Sequence, residues 1–351
     1  MINHSAVLEV NLNNLIQNYK YFKKITKPSI VAATIKANAY GIGDKMVYES
    51  LYKNGCRDFF VATTNEGYSL RNKFSKGNIY ILNGLENNSF AFFKKNKLTP
   101  IINSKNELKY VNKNNFSFGI HIDTGLNRLG INIEDLHKDI FNNKNLSIVI
   151  SHLASADEFS NNFNFLQKKK FKNYIKLFEN KKVTFSISNS MGALFNKNFH
   201  FNLVRPGISL YGGHYNNKFK TKIKPVIKLK ASILQIKKIK SGQYIGYNQT
   251  YKTKKSIWVA IVGIGYADGI PRSLSNKGFV FFKNVRYKII GRISMDSITI
   301  NITKNKKKFN IGDYVDLISY ERGIDDFAKQ CCTISNEVLT SISHRVKRIY
   351  K

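Results

Sequence analysis

Short runs of β-branched and aromatic residues alternate with longer amphipathic stretches through the first two-thirds of the chain. In the stretches 44–54, 105–112 and 165–178 the apolar residues recur every three or four positions, which predicts helices. The apolar runs predict eight strands, at residues 30–35, 59–63, 78–82, 99–102, 117–123, 146–151, 184–187 and 201–204. A βα alternation with eight strands over about 200 residues is typical of a closed (β/α)8 barrel of the TIM type.

The pattern changes after Pro225, where strand-like segments follow one another with turns between them and few helical stretches. These segments lie at residues 226–239, 256–264, 285–290, 296–302 and 314–318. We therefore predict an α/β chain with a barrel over residues 1–224 and a smaller, mainly β domain over 225–351. The early strand 7–11 can pair with either domain. No GxGxxG turn follows the first barrel strand, which disfavours an open doubly wound sheet.

Positive charge is spread along the chain: 57 Lys and Arg against 22 Asp and Glu leave a formal net charge of +35. Because 42% of the residues are hydrophobic, the composition is that of a globular protein. The lysine runs 168–170 and 306–308 stand in no zinc-finger, helix-turn-helix or aromatic RNA-binding pattern. A solvated basic surface is thus favoured over a specific nucleic-acid site, although nonspecific polyanion binding is expected at low salt.

Three cysteines, Cys56, Cys331 and Cys332, show neither a CxxC pair nor other metal-ligand spacing. We predict no disulfide framework, no metal site and a reducing, cytoplasmic location. The start of the chain lacks the features of a signal peptide. The longest apolar stretch, around 258–267, contains glycines and is too short for a membrane span.

Polar side chains follow five of the predicted barrel strands, where the βα loops of a barrel converge on one face. They are Lys36 and Tyr40 after strand one, Asp123 and Arg128 after strand five, His152 and Asp157 after strand six, Ser190 after strand seven, and Arg205 and Gly207 after strand eight. This set suits a phosphorylated carbonyl cofactor. A partly desolvated lysine forms a Schiff base, and the N–H groups near Gly207 bind a phosphate. A single strand-end lysine or histidine is more often a surface or core residue, so the prediction depends on the combination.

Five motifs, in order along the chain, resemble those of the alanine racemases, pyridoxal-phosphate enzymes with a barrel and a β domain. They are AATIKANAYG at 32–41, VRPGI at 204–208, GIGYADG at 263–269, GRISMD at 291–296 and RVKRIY at 345–350. The resemblance extends over essentially the full length. Several long motifs in one order are far more specific than a single short pattern.

The resemblance implies a role for each matching residue. Lys36 holds pyridoxal 5′-phosphate as a Schiff base and is one catalytic base, while Tyr266 of the other subunit of a homodimer is the second. The implied cofactor contacts are Arg205 at the pyridine nitrogen, His152 behind Arg205, and Tyr40, Ser190, Gly207 and Ile208 at the phosphate. The implied substrate residues are Arg128 and the Met295 N–H at the carboxylate, with Asp157, Arg272 and Arg292 along the corridor through which substrate enters.

These roles imply an amino-acid racemase that interconverts L- and D-alanine and supplies D-alanine for peptidoglycan. Racemisation removes the α-proton from one face of a planar carbanion and returns a proton to the other, so two bases are needed. A tyrosine needs neighbouring cations to act as a base. Arg205 keeps its own proton, so the pyridine nitrogen stays largely unprotonated and transamination is disfavoured.

Two positions depart from the family pattern. Many members carry a lysine, often carbamylated, where this chain has His121, and a histidine supplies no negative charge to orient Arg128. Asn336 stands where a tyrosine usually contacts the phosphate and the pocket. We expect a larger, more polar cavity, which would admit serine or other small amino acids besides alanine; a neutral variation that keeps the alanine preference is the competing interpretation.

Three further alternatives follow from the sequence. A serine or broader-specificity racemase of the same family is the nearest. A decarboxylase of the same architecture is disfavoured, since such enzymes usually place an acid where this chain has Arg205. A basic nucleic-acid-associated protein on a scaffold that has lost its chemistry is the most distant, and salt-sensitive DNA binding without cofactor absorbance would favour it.

Overall fold

The computed structural model describes residues 4–86, 88–111, 116–178, 182–214 and 222–351. Strand β1 (Ala6–Val10) comes first, and each of the eight predicted runs then contains strand structure. The strands are β2 Ile30–Val31 with β3 Ala33–Thr34, β4 Asp58–Val61, β5 Asn78–Ile81, β6 Leu98–Ile102, β7 Phe118–His121, β8 Leu146–Ile150, β9 Thr184–Ser186 and β10 Leu203–Val204. Strands β3 to β9 pair in sequence order and in parallel.

The parallel sheet curls until its ends meet. Strand β2 pairs with β10 while β3 pairs with β4, so the first run joins both neighbours. Between the last two strands, the Arg205 N–H donates to the Ser188 carbonyl at 2.9 Å. Side chains of alternate strands fill the middle: Ala32, Phe60, Ile101, Ile148, Ile150 and Leu203 form one buried cluster. The barrel prediction is confirmed.

The helices occupy the predicted connections. They are α1 Leu12–Ile25, α2 Lys36–Tyr40, α3 Asp44–Lys53, α4 Thr64–Lys73, α5 Phe90–Lys95, α6 Lys105–Val111, α7 Lys138–Phe141, α8 Asn162–Ile175, α9 Ser190–Phe195, α10 Gly323–Gln330 and α11 Ser335–Ser341. Helix α8 begins three residues before the predicted stretch, because the Asn161 side chain caps it by accepting from the Phe163 N–H. The predicted end of α6, Asn112, lies outside the described residues.

The remaining strands belong to the mainly β part. They are β11 Ile227–Ile239, β12 Tyr244–Ile245, β13 Tyr251–Lys252, β14 Ile257–Val262, β15 Phe279–Phe282, β16 Val285–Lys288, β17 Ile298–Asn301, β18 Tyr314–Ile318 and β19 Lys347–Tyr350. The long strand β11 pairs with β1, β14 and β18. Strand β1 also pairs in parallel with β19, so the two ends of the chain lie side by side.

Two compact units result. The barrel unit comprises described residues 16–210 and 222–223, and the β unit comprises 4–15, 211–214 and 224–351. The β unit has its own buried cluster, which includes Ile245, Ile257, Val259 and Ile290. In the described part of the chain, no helix has the length and apolar character that a membrane crossing requires.

Candidate active site

Lys36 begins a left-handed turn at the carboxyl end of the first barrel strand. The next four residues, Ala37 to Tyr40, have φ between 50° and 55°, and none of them is glycine. Such a conformation costs about 1–2 kcal/mol per residue for an L-amino acid. Hydrogen bonds from Ala39 N to the Ile35 carbonyl and from Gly41 N to the Ala37 carbonyl, both 2.8 Å, close the turn. Lys36 is therefore presented by strained backbone.

The Lys36 amine is partly buried and lies within electrostatic reach of Arg128 and Glu66. Burial lowers the pKa of this ammonium group, the Arg128 guanidinium lowers it further, and the Glu66 carboxylate acts in the opposite direction. The charge of Lys36 in turn helps to depress the pKa of His152, for which burial is the largest cause. A lysine in such surroundings carries a larger neutral, nucleophilic fraction than an exposed one.

Arg205 is buried, and the residues that accept hydrogen bonds from it in the described chain are not acidic. Its two terminal nitrogens donate to the Ser151 carbonyl at 2.6 Å and to the Ser186 carbonyl at 3.0 Å. Burial lowers the pKa of the guanidinium to about 9, which still leaves it charged at neutral pH. Among the described residues none accepts from the Arg205 Nε, and no hydrogen bond joins Arg205 to His152. The Nε group is thus available to an acceptor that is not part of the chain.

A cluster of donors lies where β10 ends. The Ser190 Oγ accepts from the Gly207 N–H at 2.8 Å and from the Ser209 N–H at 3.2 Å, so its own proton is left to donate elsewhere. The Gly207 N–H is therefore used within the chain. Within the described residues, the Ile208 N–H and the buried Ser209 hydroxyl have no partner. The predicted set did not include Ser209.

Tyr40 packs directly on this cluster. A Cβ on Gly207 would collide with the Tyr40 hydroxyl, so only glycine allows the tyrosine to approach this closely. Burial raises the pKa of Tyr40 to about 12, which keeps the hydroxyl protonated. The structure therefore brings Tyr40, Ser190 and Gly207 together, with Ile208 next along the chain.

The loop after β7 presents Arg128 on a tight polar turn. The Asp123 carboxylate accepts from the N–H groups of Gly125, Leu126 and Asn127 at 2.8–2.9 Å. Arg128 itself is exposed, as is Asp157 after β8. The exposed Arg128 guanidinium suits recognition of an incoming anion, whereas the Asp157 carboxylate does not.

His121 is buried and neutral. Burial, reinforced by Arg205, lowers its pKa to about 4. Its Nδ1 lies 3.2 Å from the Asn103 Oδ1, while the Asn103 amide nitrogen donates to the Leu82 and Ile101 carbonyls at 2.8 Å. Because those bonds orient the Asn103 amide, its Oδ1 accepts from the His121 Nδ1–H. The Nε2 atom of His121 is then an acceptor.

The sequence analysis did not identify two side-chain connections between loops, one buried and one at the surface. The fully buried Gln167 of α8 accepts from the Ala154 N–H at 2.8 Å and donates to the His152 carbonyl at 3.0 Å and to Thr124 at 3.2 Å. Glu66 of α4 accepts from the Ala37 N–H at 2.6 Å. For Glu66 a signal existed, since Thr63 and Glu66 form a capping-box pattern after a strand. A lone glutamine on an apolar helix face has no such signal.

In the β unit, the Tyr266 turn rests on the Met295 loop. The Tyr266 N–H donates to the Ser294 carbonyl at 3.1 Å, and the Ala267 N–H donates to the Met295 carbonyl at 3.0 Å. A Cβ on Gly265 would overlap the Met295 carbonyl, so this contact requires glycine. Tyr266 is 43% exposed and Met295 51% exposed. The Met295 N–H has no acceptor in the described part of the chain.

A groove of about 320 Å³ lies beside Tyr266. It is lined by Tyr266, Gly269, Ile270, Pro271, Arg272, Thr333, Glu337, Val338 and Ser341. Arg272 thus faces the same space as Tyr266, while Arg292 donates to Asn248 at 3.2 Å. Asn336 is half-buried, and its Oδ1 is a buried acceptor without a partner among the described residues.

Comparison with known proteins assigns the two parts to one family. The alanine racemase N-terminal domain matches residues 10–215 and the alanine racemase C-terminal domain matches residues 226–350. The chain belongs to the alanine racemase family. Alanine racemase of Rickettsia africae (strain ESF-5) is 36% identical over 359 residues, which covers 98% of this chain and 99% of that protein. Alanine racemase of Rickettsia bellii (strain RML369-C) is 39% identical over 92% of this chain and 82% of its own length.

Solved structures show the same family relationship. Alanine racemase from Bartonella henselae, with covalently bound pyridoxal phosphate, is 34% identical and superposes with a TM-score of 0.93, covering 99% of this chain and 100% of that one. The biosynthetic alanine racemase from Pseudomonas aeruginosa gives a TM-score of 0.92 at 26% identity, with 99% and 100% covered.

Proposed function

We propose that this chain is an alanine racemase that interconverts L- and D-alanine with pyridoxal 5′-phosphate and supplies D-alanine for peptidoglycan. The observation that carries the proposal is Lys36. It ends the first barrel strand, its pKa is lowered by burial and by Arg128, and it stands in a chain whose two domains both match alanine racemase.

The barrel residues fit the cofactor. The Lys36 amine would bind the carbonyl carbon of pyridoxal 5′-phosphate. The Ser190 and Ser209 hydroxyls and the Ile208 N–H would bind its phosphate. The buried Ser209 hydroxyl without a partner is the observation that tests this fit, because a buried polar group left unpaired is costly. Arg205 would donate through its Nε to the ring nitrogen. When bound, pyridoxal phosphate supplies an electron sink that makes the Cα–H bond acidic.

The chain itself moves the protons. The Lys36 Nζ would accept or donate a proton on one face of the substrate, and the Tyr266 hydroxyl would do so on the other. Surroundings that lower the pKa of Lys36 increase the fraction of neutral amine ready to accept a proton. Arg205 stays protonated and so withholds a proton from the ring nitrogen. Arg128 and the free Met295 N–H would bind the substrate carboxylate, with Asp157, Arg272 and Arg292 along its path.

Neutral His121 changes how Arg128 is held. The Nδ1–H bond to Asn103 leaves the His121 Nε2 as an acceptor, which can receive a hydrogen bond from a guanidinium without a negative charge. We therefore expect weaker orientation of Arg128 than a carboxylate would give, and a correspondingly weaker hold on the substrate carboxylate.

The proposal includes a homodimer in which each active site takes Lys36 from one copy and Tyr266 from the other. The exposure of Tyr266 and Met295 supports a second copy covering this face. When inactive Lys36→Ala and Tyr266→Phe chains are mixed and reassembled, random pairing predicts recovery of about a quarter of the wild-type rate. Recovery no greater than in a subunit-exchange control would contradict a shared site. A cytoplasmic location is also proposed, supported by the free thiols of Cys56, Cys331 and Cys332.

The racemase proposal is tested with the purified protein and L-alanine in deuterated water. We expect borohydride-sensitive visible absorbance, deuterium at Cα and accumulation of D-alanine. A protein that binds no cofactor after reconstitution, or that exchanges the α-proton without inverting the centre, would contradict it.

A further inference from the structure

The turn that carries Lys36 is strained, and its stability depends on what lies around it. The left-handed residues Ala37 to Tyr40 immediately follow the lysine. Two hydrogen bonds, one made by a side chain of the turn and one by Glu66, join the turn to other segments of the chain. Asn38 accepts from the Asp44 N–H at 2.9 Å at the far end, and Glu66 accepts from the Ala37 N–H at 2.6 Å next to the lysine.

Glu66 connects this turn to the neighbouring strand. One carboxylate oxygen accepts from Ala37, and the other accepts from Ala62 at 2.7 Å and from Thr63 at 3.2 Å, where β4 ends. The position of Glu66 is itself set, since its N–H donates to the Thr63 Oγ1 at 3.2 Å. A single carboxylate thereby ties the Lys36 turn to the rigid start of α4.

The same carboxylate is the acidic group that faces Lys36. The other charged or titratable groups near the amine, Arg128 from the loop after β7 and His152 from the loop after β8, are basic. Glu66 therefore acts on Lys36 in two ways: it holds the adjacent backbone, and it supplies a negative charge that opposes the effect of Arg128.

We propose that Glu66 is a positioning residue of the racemase: its carboxylate locks the left-handed turn after Lys36 and so sets the placement of the lysine amine. The inference rests on the proposed function only for its catalytic consequence. The structural part, the clamp on Ala37, can be measured in the full chain without cofactor.

Glu107 provides a matched control within the same barrel. It also occupies the third position of its helix, α6, is half-buried, and links two adjacent βα loops by accepting from Leu85 at 2.8 Å and Asn103 at 2.9 Å. Neither loop carries a lysine amine next to the carboxylate. Glu107→Gln thus removes an equivalent clamp away from Lys36.

The experiment compares Glu66→Gln, Glu66→Asp and Glu107→Gln in the full chain freed of cofactor by hydroxylamine and dialysis. Hydrogen exchange of the peptide spanning 36–41 reports the clamp, and the pH dependence of trace acetylation of Lys36, measured by mass spectrometry, reports the pKa of its amine. For Glu66→Gln we expect exchange faster by about tenfold, as for loss of one charge-assisted hydrogen bond. The pKa of Lys36 is expected to fall, because the negative charge is gone.

The other two variants distinguish the length of the side chain at position 66 from its negative charge and control for the loss of a similar carboxylate elsewhere. Glu66→Asp keeps the charge but shortens the side chain, so exchange should quicken while the pKa of Lys36 falls less. Glu107→Gln should leave both readouts for Lys36 at wild-type values. In the reloaded enzyme, kcat for alanine should drop about 10- to 100-fold in Glu66→Gln with a smaller change in KM.

Unchanged exchange and an unchanged Lys36 pKa in Glu66→Gln, or the same changes in Glu107→Gln, would overturn the proposal and leave Glu66 as an ordinary helix cap. Failure of the proposed function is distinguishable: a wild type without racemisation would contradict the activity, while the exchange and acetylation results would still decide the role of Glu66.

Discussion

The two units present their candidate bases in opposite ways. Lys36 of the barrel unit is half-buried next to a strained turn that Glu66 holds at Ala37, and burial and Arg128 lower its pKa. Tyr266 of the β unit is 43% exposed on a short 3₁₀ turn held by backbone contacts to the Met295 loop. The barrel unit by itself thus lowers the pKa of the lysine, whereas the β unit leaves the tyrosine in contact with solvent. The proposed homodimer would supply the second surface that excludes water from the tyrosine.

The largest expected effect is on the rate of racemisation. It distinguishes Lys36, which is expected both to transfer a proton and to attach the cofactor, from Tyr266, which is expected only to transfer a proton. Lys36→Ala should lower racemisation by about 10²- to 10⁴-fold and abolish the borohydride-sensitive absorbance. Tyr266→Phe should cause a rate loss of the same order but keep the absorbance, because it leaves the cofactor attachment intact. Kinetics and absorbance spectra of the reconstituted variants check this, with the exposed Lys45→Ala as control. Loss of the absorbance in Tyr266→Phe would contradict the expectation that Lys36, and not Tyr266, attaches the cofactor.

The second effect concerns stability. Gln167→Leu should lower the free energy of unfolding by about 2–4 kcal/mol, since it removes the hydrogen-bond partner of the Ala154 N–H and of the His152 carbonyl inside the barrel unit. Gln330→Leu in the β unit removes one bond, to the Phe279 N–H at 3.1 Å, from a half-buried side chain, and should cost about 1 kcal/mol. Urea denaturation measures both. Equal losses of unfolding free energy in the two variants would contradict the prediction that the buried Gln167 stabilises the fold more than the half-buried Gln330 does.

A pH-dependent effect follows from His121. Its pKa is lowered to about 4 in the folded chain, so between about pH 6.5 and 4 the unfolded chain binds the proton and the folded chain does not. Stability should therefore fall with falling pH over this window, by up to about 3 kcal/mol from this group. His121→Gln lacks this titrating group, so its unfolding free energy should fall less than that of the wild type as the pH is lowered from about 6.5 to 4. The surface variant His137→Gln controls for loss of an imidazole. If the plots of unfolding free energy against pH run parallel for wild type and His121→Gln, the prediction is wrong.

The smallest effect tests the β unit's contribution to specificity. Asn336→Tyr should shift the ratio of serine to alanine turnover towards alanine by about tenfold, because the ring fills space and removes a buried acceptor that has no partner in the described chain. Turnover of both L-amino acids by wild type and variant decides this. Negligible serine turnover in both would leave Asn336 as a neutral variation.

Much of the barrel was predictable because its signals are local. The alternation of apolar runs and amphipathic stretches placed all eight strand runs, and the chemistry-bearing residues were recognisable by their position after them. Glu66 and Gln167 were missed because their importance depends on which loops become neighbours. Ser209 was missed because a serine after a phosphate-type turn is indistinguishable from any other until its burial is known.

The sequence by itself determined the fold class, the order of elements and the types of side chain at each strand end, since periodicity and motif order are properties of short segments. Only the tertiary structure decided that the Lys36 turn is left-handed and that Glu66, 29 residues from Ala37, holds it. It likewise decided that His121 is neutral and that the buried Arg205 guanidinium donates to the backbone carbonyls of Ser151 and Ser186. These features arise when barrel closure brings distant loops together and removes water, and neither the neighbours nor the desolvation is encoded in a local pattern.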